Sequence, residues 1–509
     1  MPLISTRGGA AVTAAQAILA GIAPSGGLYV PRAFSPVSRL ELRQMGGEPY
    51  ARRAARVLRA FLDDYAPAEI QGAAEAAYAR FGVPEIAPLR PLSGLGGANG
   101  AEGGVYVLEL FHGPTLAFKD MALQLLPRLT RIAMDRLGEK RELFVLAATS
   151  GDTGKAALEG FADVPGTRCA VFYPSEGVSE AQRLQMVTQT GANTHVIAVR
   201  GNFDDAQTGV KRIFADPAFA ADMDARGRML SSANSINFGR LAPQVAYYFS
   251  AYADLLAAGA VAPGQRVHFA VPTGNFGNIL AAEYARRMGL PVGKLLCASN
   301  SNNVLADFVR TGVYDPRRPF YQTISPSMDI LISSNLERLL FELCGRDEGT
   351  VARWMQALKE GRPYDIGPER LRALHEGFAA DWADDQATRD TIRQVWRDAR
   401  YLMDPHTAVA ARALMRYRER TGDGTPAVIV ATASPYKFGR EVARALLGDA
   451  AIGGLDDFAC CRLLAGSCEQ EVPPAIAELP CLPVRHNAII DASGMAEALR
   501  EIVEAAGTP

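Results

Sequence analysis

Two periodicities alternate along most of this chain. The short apolar runs VYVLELF, ELFVLAA, CAVFYP and THVIAVR are followed in turn by MALQLLPRLTRIAM, GKAALEGFA, EAQRLQMVTQT and DDAQTGVKRIF, whose apolar positions recur at three- and four-residue spacing. Runs without polar alternation predict strands buried on both faces, and the 3.6-residue spacing predicts helices packed over them. That alternation is the pattern of β-α-β units on a parallel sheet. It resumes at VHFAVPTG, NILAAEYARRMG and KLLCASN, and returns late at AVIVATA. From about Ile330 to Met403, LERLLFEL, VARWMQALKEG and ATRDTIRQVWRDAR carry only the helical period, which predicts a helical lobe. The residues before Ser93 read as helices joined by polar turns, and the Gly- and Ala-rich stretch Ser93 to Gly104 reads as a loop or hairpin tip near a domain boundary. The expected α/β organisation therefore has four parts: an N-terminal domain over 1–95, an α/β core over 96–330, the helical lobe over 331–403, and a C-terminal part over 404–509 that completes the core.

Composition narrows the class. A chain of 509 residues exceeds what one core supports, and 48% hydrophobic with 21% charged residues is ordinary for soluble domains. No run of about 20 uninterrupted apolar residues predicts a membrane span. A formal net charge of -2 gives no field to gather nucleic acid or an anionic membrane, so a small-molecule substrate is expected. The N-terminal segment lacks a basic region leading into an apolar one, and the 7 cysteines show no C-x-x-C pair, so a reducing, cytoplasmic setting without structural zinc is expected. Lysine is scarce among the 53 basic residues. Unlike Arg, it can lose its proton when desolvated, as amine nucleophiles must.

In open α/β sheets ligands bind beyond the carboxyl ends of the strands, so the turns there are where a site is expected. After VYVLEL, the turn FHGPTLAFKD places Lys119 at a helix start between Phe118 and Asp120, where a protonated amine is disfavoured; the same residues also suit an ordinary helix start. After ELFVLAA comes TSGDTGKAA. It is not a nucleotide P-loop, because Thr149 and Ala156 stand where that spacing requires Gly and a hydroxyl. Its hydroxyls and backbone N–H groups suit a carboxylate, or else Asp152 or Thr153 caps the helix. After VHFAVP, the turn PTGNFGN offers Gly274, Asn275, Phe276, Gly277 and Asn278, whose N–H groups can ring a phosphate. After AVIVA, Thr432 in TASPYKF can bond a heterocyclic nitrogen or cap the strand. The segment SSANSINFGR offers Asn234, Ser235 and Arg240, and Arg suits a phosphate clamp. No metal site is expected from the six histidines; His268 reads as a satisfied core residue, and His112 and His406 as turn or capping residues.

Taken together and in order, FHGPTLAFKD, TSGDTGKAA, SSANSINFGR, PTGNFGN, DPHTAVA and TASPYKF resemble the threonine synthases of the longer microbial and fungal type, as do STRGG and GIAPSGGLYVP near the start. The resemblance implies the tryptophan-synthase-β-like fold, fold type II of the pyridoxal-phosphate enzymes, with two parallel-sheet α/β domains, an added N-terminal domain and the cofactor held in the 96–330 core. It implies Lys119 as the Schiff-base lysine, Gly274, Asn275, Phe276, Gly277 and Asn278 as the loop for the cofactor's phosphate, and Thr432 as the hydroxyl meeting the pyridine nitrogen. Ser150, Gly151, Asp152 and Thr153 would receive the substrate carboxylate, and Asn234, Ser235 and Arg240 the substrate phosphate. Two positions depart from relatives that carry Asp, namely Ser25 and Asn278. The implied reaction turns O-phospho-L-homoserine and water into L-threonine and phosphate in a monomer or homodimer. The alternatives are a threonine or serine dehydratase, a phospholyase-like relative with the same cofactor, and, from another class, a non-catalytic sensor, which retention of Lys119 opposes.

Overall fold

A computed structural model describes residues 2–94, 103–149, 151–176 and 178–505. The expected loop at Ser93 to Gly104 lies outside these residues over 95–102. Two sheets dominate. Across the six-stranded sheet run Phe378–Trp382, Val292–Ser299, Val267–Pro272, Ala427–Ala431, Val105–Glu109 and Leu89–Pro91, all parallel except the last, which is antiparallel to its neighbour. The five-stranded sheet runs Ala488–Ile490, Thr194–Val199, Thr167–Pro174, Glu142–Ala148 and Arg228–Ser232, all parallel.

The unbroken apolar runs follow from double-sided burial. In ELFVLAA, Leu143, Val145 and Ala147 enter the main core, while Phe144, Leu146 and Ala148 face a second one. The helices Phe203–Ala215, Pro217–Ala225 and Met495–Ala505 close that second core with Val210, Phe219 and Leu499. Alternation of side chains across a strand makes this division automatic.

The segment 331–403 is not purely helical. Its helices Leu336–Leu343, Glu348–Lys359, Gly367–Gly377 and Asp385–Ala399 are joined by the strand Phe378–Trp382, which pairs with Val292–Ser299 at the sheet edge. Its sequence, FAADW, buries only Phe378 and carries no β-branched residue, so neither strand period nor strand composition marks it. The last part of the chain threads Ala427–Ala431 into the middle of one sheet and adds Ala488–Ile490 to the edge of the other.

The N-terminal helices Ala14–Ala20, Arg39–Met45, Tyr50–Leu58 and Pro67–Tyr78 are packed on the core, several of them against the helix Phe238–Ala257, and a short antiparallel pair, Leu3–Ser5 with Tyr29–Pro31, accompanies them. Capping boxes at Thr13 with Gln16 and at Ser38 with Glu41 start two of these helices. The seam to the core is polar and buried. Arg338 is 0% exposed and donates to Tyr29 O at 2.8 Å, Ile236 O at 2.6 Å and Asn335 Oδ1, while Glu337 accepts from Thr6 Oγ1 at 2.5 Å and Arg7 Nη2 at 2.6 Å. Replacing Arg338 by Met strands three buried acceptors, each costing about 1 to 3 kcal/mol. Denaturant unfolding of Arg338→Met without cofactor is therefore expected to show a loss of about 3 kcal/mol or more; a midpoint equal to the parent's excludes a structural part for this seam. No helix among the described residues is long and apolar enough to cross a membrane.

Candidate active site

The chemistry-bearing turns sit at the carboxyl ends of parallel strands from both sheets. Lys119 follows Val105–Glu109, Asp152 follows Glu142–Ala148, Gly274 follows Val267–Pro272, and Thr432 follows Ala427–Ala431. Phe118 N donates to Thr432 O at 2.8 Å and Ser434 N to Leu116 O at 3.0 Å, which fastens two of these turns side by side. Lys119 caps the short helix Asp120–Leu123, as the sequence predicts, and is buried.

Its Nζ lies 3.2 Å from Asp152 Oδ2 and 3.3 Å from Ser327 Oγ, with the Phe118 ring centroid at 5.1 Å. Burial pushes the amine below its ordinary pKa against the pull of Asp152, and Arg240 and Lys437 add to the lowering. Asp152 carries a second cation, since Lys437 Nζ stands 2.9 Å from its Oδ1 and donates to Thr115 O at 2.7 Å. Burial alone would raise the Asp152 carboxyl, but Lys437 and Lys119 together hold it well below the usual carboxylate range.

The Asp152 side chain is a buried, ionised anion, so within this turn its backbone N–H and not its carboxylate suits the expected contact with a substrate carboxylate. Ser150 lies outside the described residues. The helix Asp152–Phe161 has no side-chain cap from its first residue; instead Thr149 Oγ1 accepts from Gly151 N at 3.0 Å and Gly154 N at 2.9 Å. The N–H groups of Asp152 and Thr153 donate to no protein acceptor among the described residues.

The Gly274 to Asn278 turn has the architecture of an anion nest. Ser333 Oγ takes Gly274 O at 2.7 Å, and Asn335 takes Asn275 O through its N and Nδ2 at 3.1 and 3.0 Å. The five N–H groups of the turn donate to no acceptor among the described residues. Phe276 holds a left-handed φ of 64°, anchored by its buried ring stacked on Phe378 at 6.1 Å. Tyr247 and Tyr248 hydroxyls both donate to Asn278 Oδ1, at 2.5 and 2.7 Å, leaving its buried Nδ2 without a partner.

Arg240 is a buried guanidinium with no ion-paired carboxylate among the described residues; Nη1 donates to Ala233 O at 2.7 Å, and burial pushes its pKa down to about 10. Asn234 N donates to Ser232 Oγ at 3.2 Å. Ser235 stands beside the nest, since a Cβ added at Gly277 would come 4.0 Å from Ser235 Cβ and 3.5 Å from Asn335 Nδ2.

Family models match along the chain in order: threonine synthase N terminus over residues 3–78, pyridoxal-phosphate dependent enzyme over 83–358, and threonine synthase, C-terminal, over 407–503. The threonine synthase of Pseudomonas aeruginosa is 42% identical over 452 residues, covering 88% of this chain and 91% of that protein. The chain belongs to the threonine synthase family. The crystal structure of a PLP-bound threonine synthase from Brucella melitensis superposes with a TM-score of 0.85 at 36% identity, covering 99% of each chain. Threonine synthase-like 1 of Homo sapiens is 40% identical over 445 residues, 85% of this chain and 58% of that protein.

Membership in the threonine synthase family makes this a fold type II pyridoxal-phosphate enzyme, and the site fits that cofactor. A desolvated lysine, together with the N–H groups of Gly274 to Asn278 and the Asn278 Nδ2, none of which has a partner among the described residues, suits an aldehyde bearing a phosphate. Several groups of this threonine synthase site escaped the sequence analysis. Lys437 lies in the TASPYKF turn, and the scarcity of lysine was the signal that could have singled it out. Ser327 sits in the single 3-10 turn Pro326–Met328 with no such signal. His406, expected as a turn or capping residue, accepts from Ser327 N at 3.1 Å through Nε2 and bonds Asp404 Oδ2 through Nδ1 at 2.7 Å, so it supports the loop next to Lys119. His268 is satisfied between Asp423 Oδ2 at 2.9 Å and Lys294 N at 2.8 Å, as expected.

Proposed function

We propose that this enzyme converts O-phospho-L-homoserine and water into L-threonine and phosphate, with Lys119 carrying pyridoxal phosphate. The reading is supported by two groups suited to anions near one buried amine: the N–H groups of Gly274 to Asn278, which have no acceptor among the described residues, and the buried guanidinium of Arg240, which has no ion-paired carboxylate among them. A cofactor phosphate and a substrate phosphate need two such sites, whereas a threonine or serine dehydratase needs one.

Pyridoxal phosphate, when bound, supplies the electron sink that lets protons leave carbon beside the substrate nitrogen. The chain's own groups set where those protons go. Lys119, with its pKa lowered by burial, takes the proton from Cα and then one from Cβ, and once phosphate has left protons return to Cγ, which becomes the methyl group, and finally to Cα. Arg240, with Asn234 and Ser235, holds the phosphate through its departure from Cγ, and water adds at Cβ. The N–H groups of Asp152 and Thr153, with Gly151 and the Thr153 hydroxyl, would receive the substrate carboxylate, a role expected also of Ser150, which lies outside the described residues. Thr432 would offer the cofactor's ring nitrogen a neutral hydroxyl, which would not protonate it and so would restrain side reactions. The enzyme acts as a cytoplasmic monomer or homodimer on this small molecule.

The same cofactor and substrate-phosphate contacts would also serve a second reading, a phospholyase that releases phosphate without forming threonine. Product ratios decide between the two. Holoenzyme given O-phospho-L-homoserine should release threonine and phosphate one to one and leave homoserine and threonine untouched; phosphate without threonine selects the phospholyase.

The nest has its own test. A Cβ at Gly274 would lie 2.6 Å from Ser327 O, so any substitution there disturbs the backbone, but at Gly277 the nearest atom is 3.5 Å away. Gly277→Ala should therefore fold with the parent's apo-protein melting temperature while losing its yellow cofactor on dialysis. Full cofactor retention would place the phosphate elsewhere.

A further inference from the structure

Asp152 is shared. Its Oδ2 faces Lys119 Nζ at 3.2 Å and Ser327 Oγ at 3.4 Å, and its Oδ1 faces Lys437 Nζ at 2.9 Å and Gln182 Nε2 at 3.2 Å. Lys437 is the more firmly held of the two lysines, buried at 2% exposure and anchored on Thr115 O at 2.7 Å. Thr115 is in turn fixed by Asp120, which accepts its N at 2.8 Å and its hydroxyl at 2.7 Å.

A lone buried carboxylate opposite Lys119 would hold the amine in its charged, unreactive form. We propose that Lys437 is a positioning residue which occupies the second oxygen of Asp152 and so keeps that carboxylate from claiming the Lys119 amine, leaving it free to react. The sharing is built into the fold, because the three residues arrive on separate turns: Lys119 ahead of Asp120–Leu123, Asp152 opening Asp152–Phe161, and Lys437 in the 3-10 turn Pro435–Phe438. The other charged or titratable groups around them are Arg240 on the helix Phe238–Ala257, His406 on Pro405–Thr421 with its Asp404 partner, and Asp120, whose buried carboxyl is pushed up to about 6. Lys437 and Arg240 both act on Lys119 in the direction that favours the neutral amine.

The inference rests on Lys119 being the cofactor lysine, and the experiment separates the two claims. An amine condenses with an aldehyde only when neutral: nitrogen attacks the carbonyl carbon, a carbon–nitrogen double bond forms, and the oxygen leaves as water. The pH midpoint for covalent capture of pyridoxal 5'-phosphate by the apo-protein, read after borohydride reduction and peptide mapping, therefore reports the proton on the lysine. Lys437→Met gives Asp152 wholly to Lys119 and should raise the midpoint by about one to three pH units. Asp152→Asn removes the anion and should lower it; Lys437→Arg, which keeps the charge, should stay near the parent. A purely structural role for Lys437 would reduce the yield of capture without moving the midpoint in opposite directions. Unchanged midpoints in Lys437→Met and Asp152→Asn, or a lower one in Lys437→Met, overturn the proposal. If Lys437→Met does not fold, the direction of shift in Asp152→Asn decides alone. Lys119→Ala is the separate control: capture at another residue would overturn the assignment of Lys119 and not merely the role of Lys437.

Discussion

Replacing Lys119 by Ala is expected to lower turnover of O-phospho-L-homoserine by about 10³-fold or more and to leave the purified protein colourless. Covalent retention of the cofactor and proton transfer at two carbons converge on one nitrogen, and no neighbour can stand in for it. Lys437, the nearest alternative amine, is committed to Asp152 and Thr115 O, and Ser327 Oγ at 3.3 Å is far too weak a base. The measurement is kcat beside the visible spectrum of the folded variant. Turnover within about tenfold of the parent would remove the chemical basis of the assignment, since general acid–base catalysis alone contributes 10²- to 10⁴-fold.

The second large effect is expected at Arg240. Its guanidinium is buried without a carboxylate partner, so an arriving phosphate is its natural counter-charge. Arg240→Leu deletes one partner of that desolvated pair and should cost about 2 to 5 kcal/mol in kcat/KM, roughly 30- to 4,000-fold. Part of the change falls on stability, because Ala233 O loses its donor; kcat/KM must therefore be measured on folded, yellow protein. The cofactor should stay, since its phosphate has the nest at Gly274 to Asn278. Arg240→Lys keeps a charge but loses the fork and should fall between the two. Loss of cofactor from Arg240→Leu would instead assign this residue to the cofactor site, where Ser235 already adjoins Gly277.

The sheets were legible because the doubly buried strands write their burial directly into the sequence as unbroken apolar runs, and the four chemistry-bearing turns were legible because each directly follows such a run. Three kinds of feature were not. Phe378–Trp382 is an edge strand held by backbone pairing, which no side-chain pattern records. Ser327 reaches Lys119 from more than two hundred positions away, in a single 3-10 turn too short to show a period. Lys437 meets Asp152 across turns that follow strands of different sheets, a contact that no local pattern records. Local sequence thus pointed to the turns that the structure brings together but not to the direction in which the Asp152 carboxylate points.

Isotope tracing tests the central claim most directly, because it reports which bond breaks at the site built around Lys119 and Arg240. Holoenzyme is given O-phospho-L-homoserine in water enriched in oxygen-18, and both products are analysed by mass spectrometry. The account predicts that the label appears in the hydroxyl of threonine and that the released phosphate is unlabelled, because the bond from Cγ to oxygen breaks and water adds at Cβ. Labelled phosphate accompanied by homoserine would mean that water attacks phosphorus, and would contradict the account.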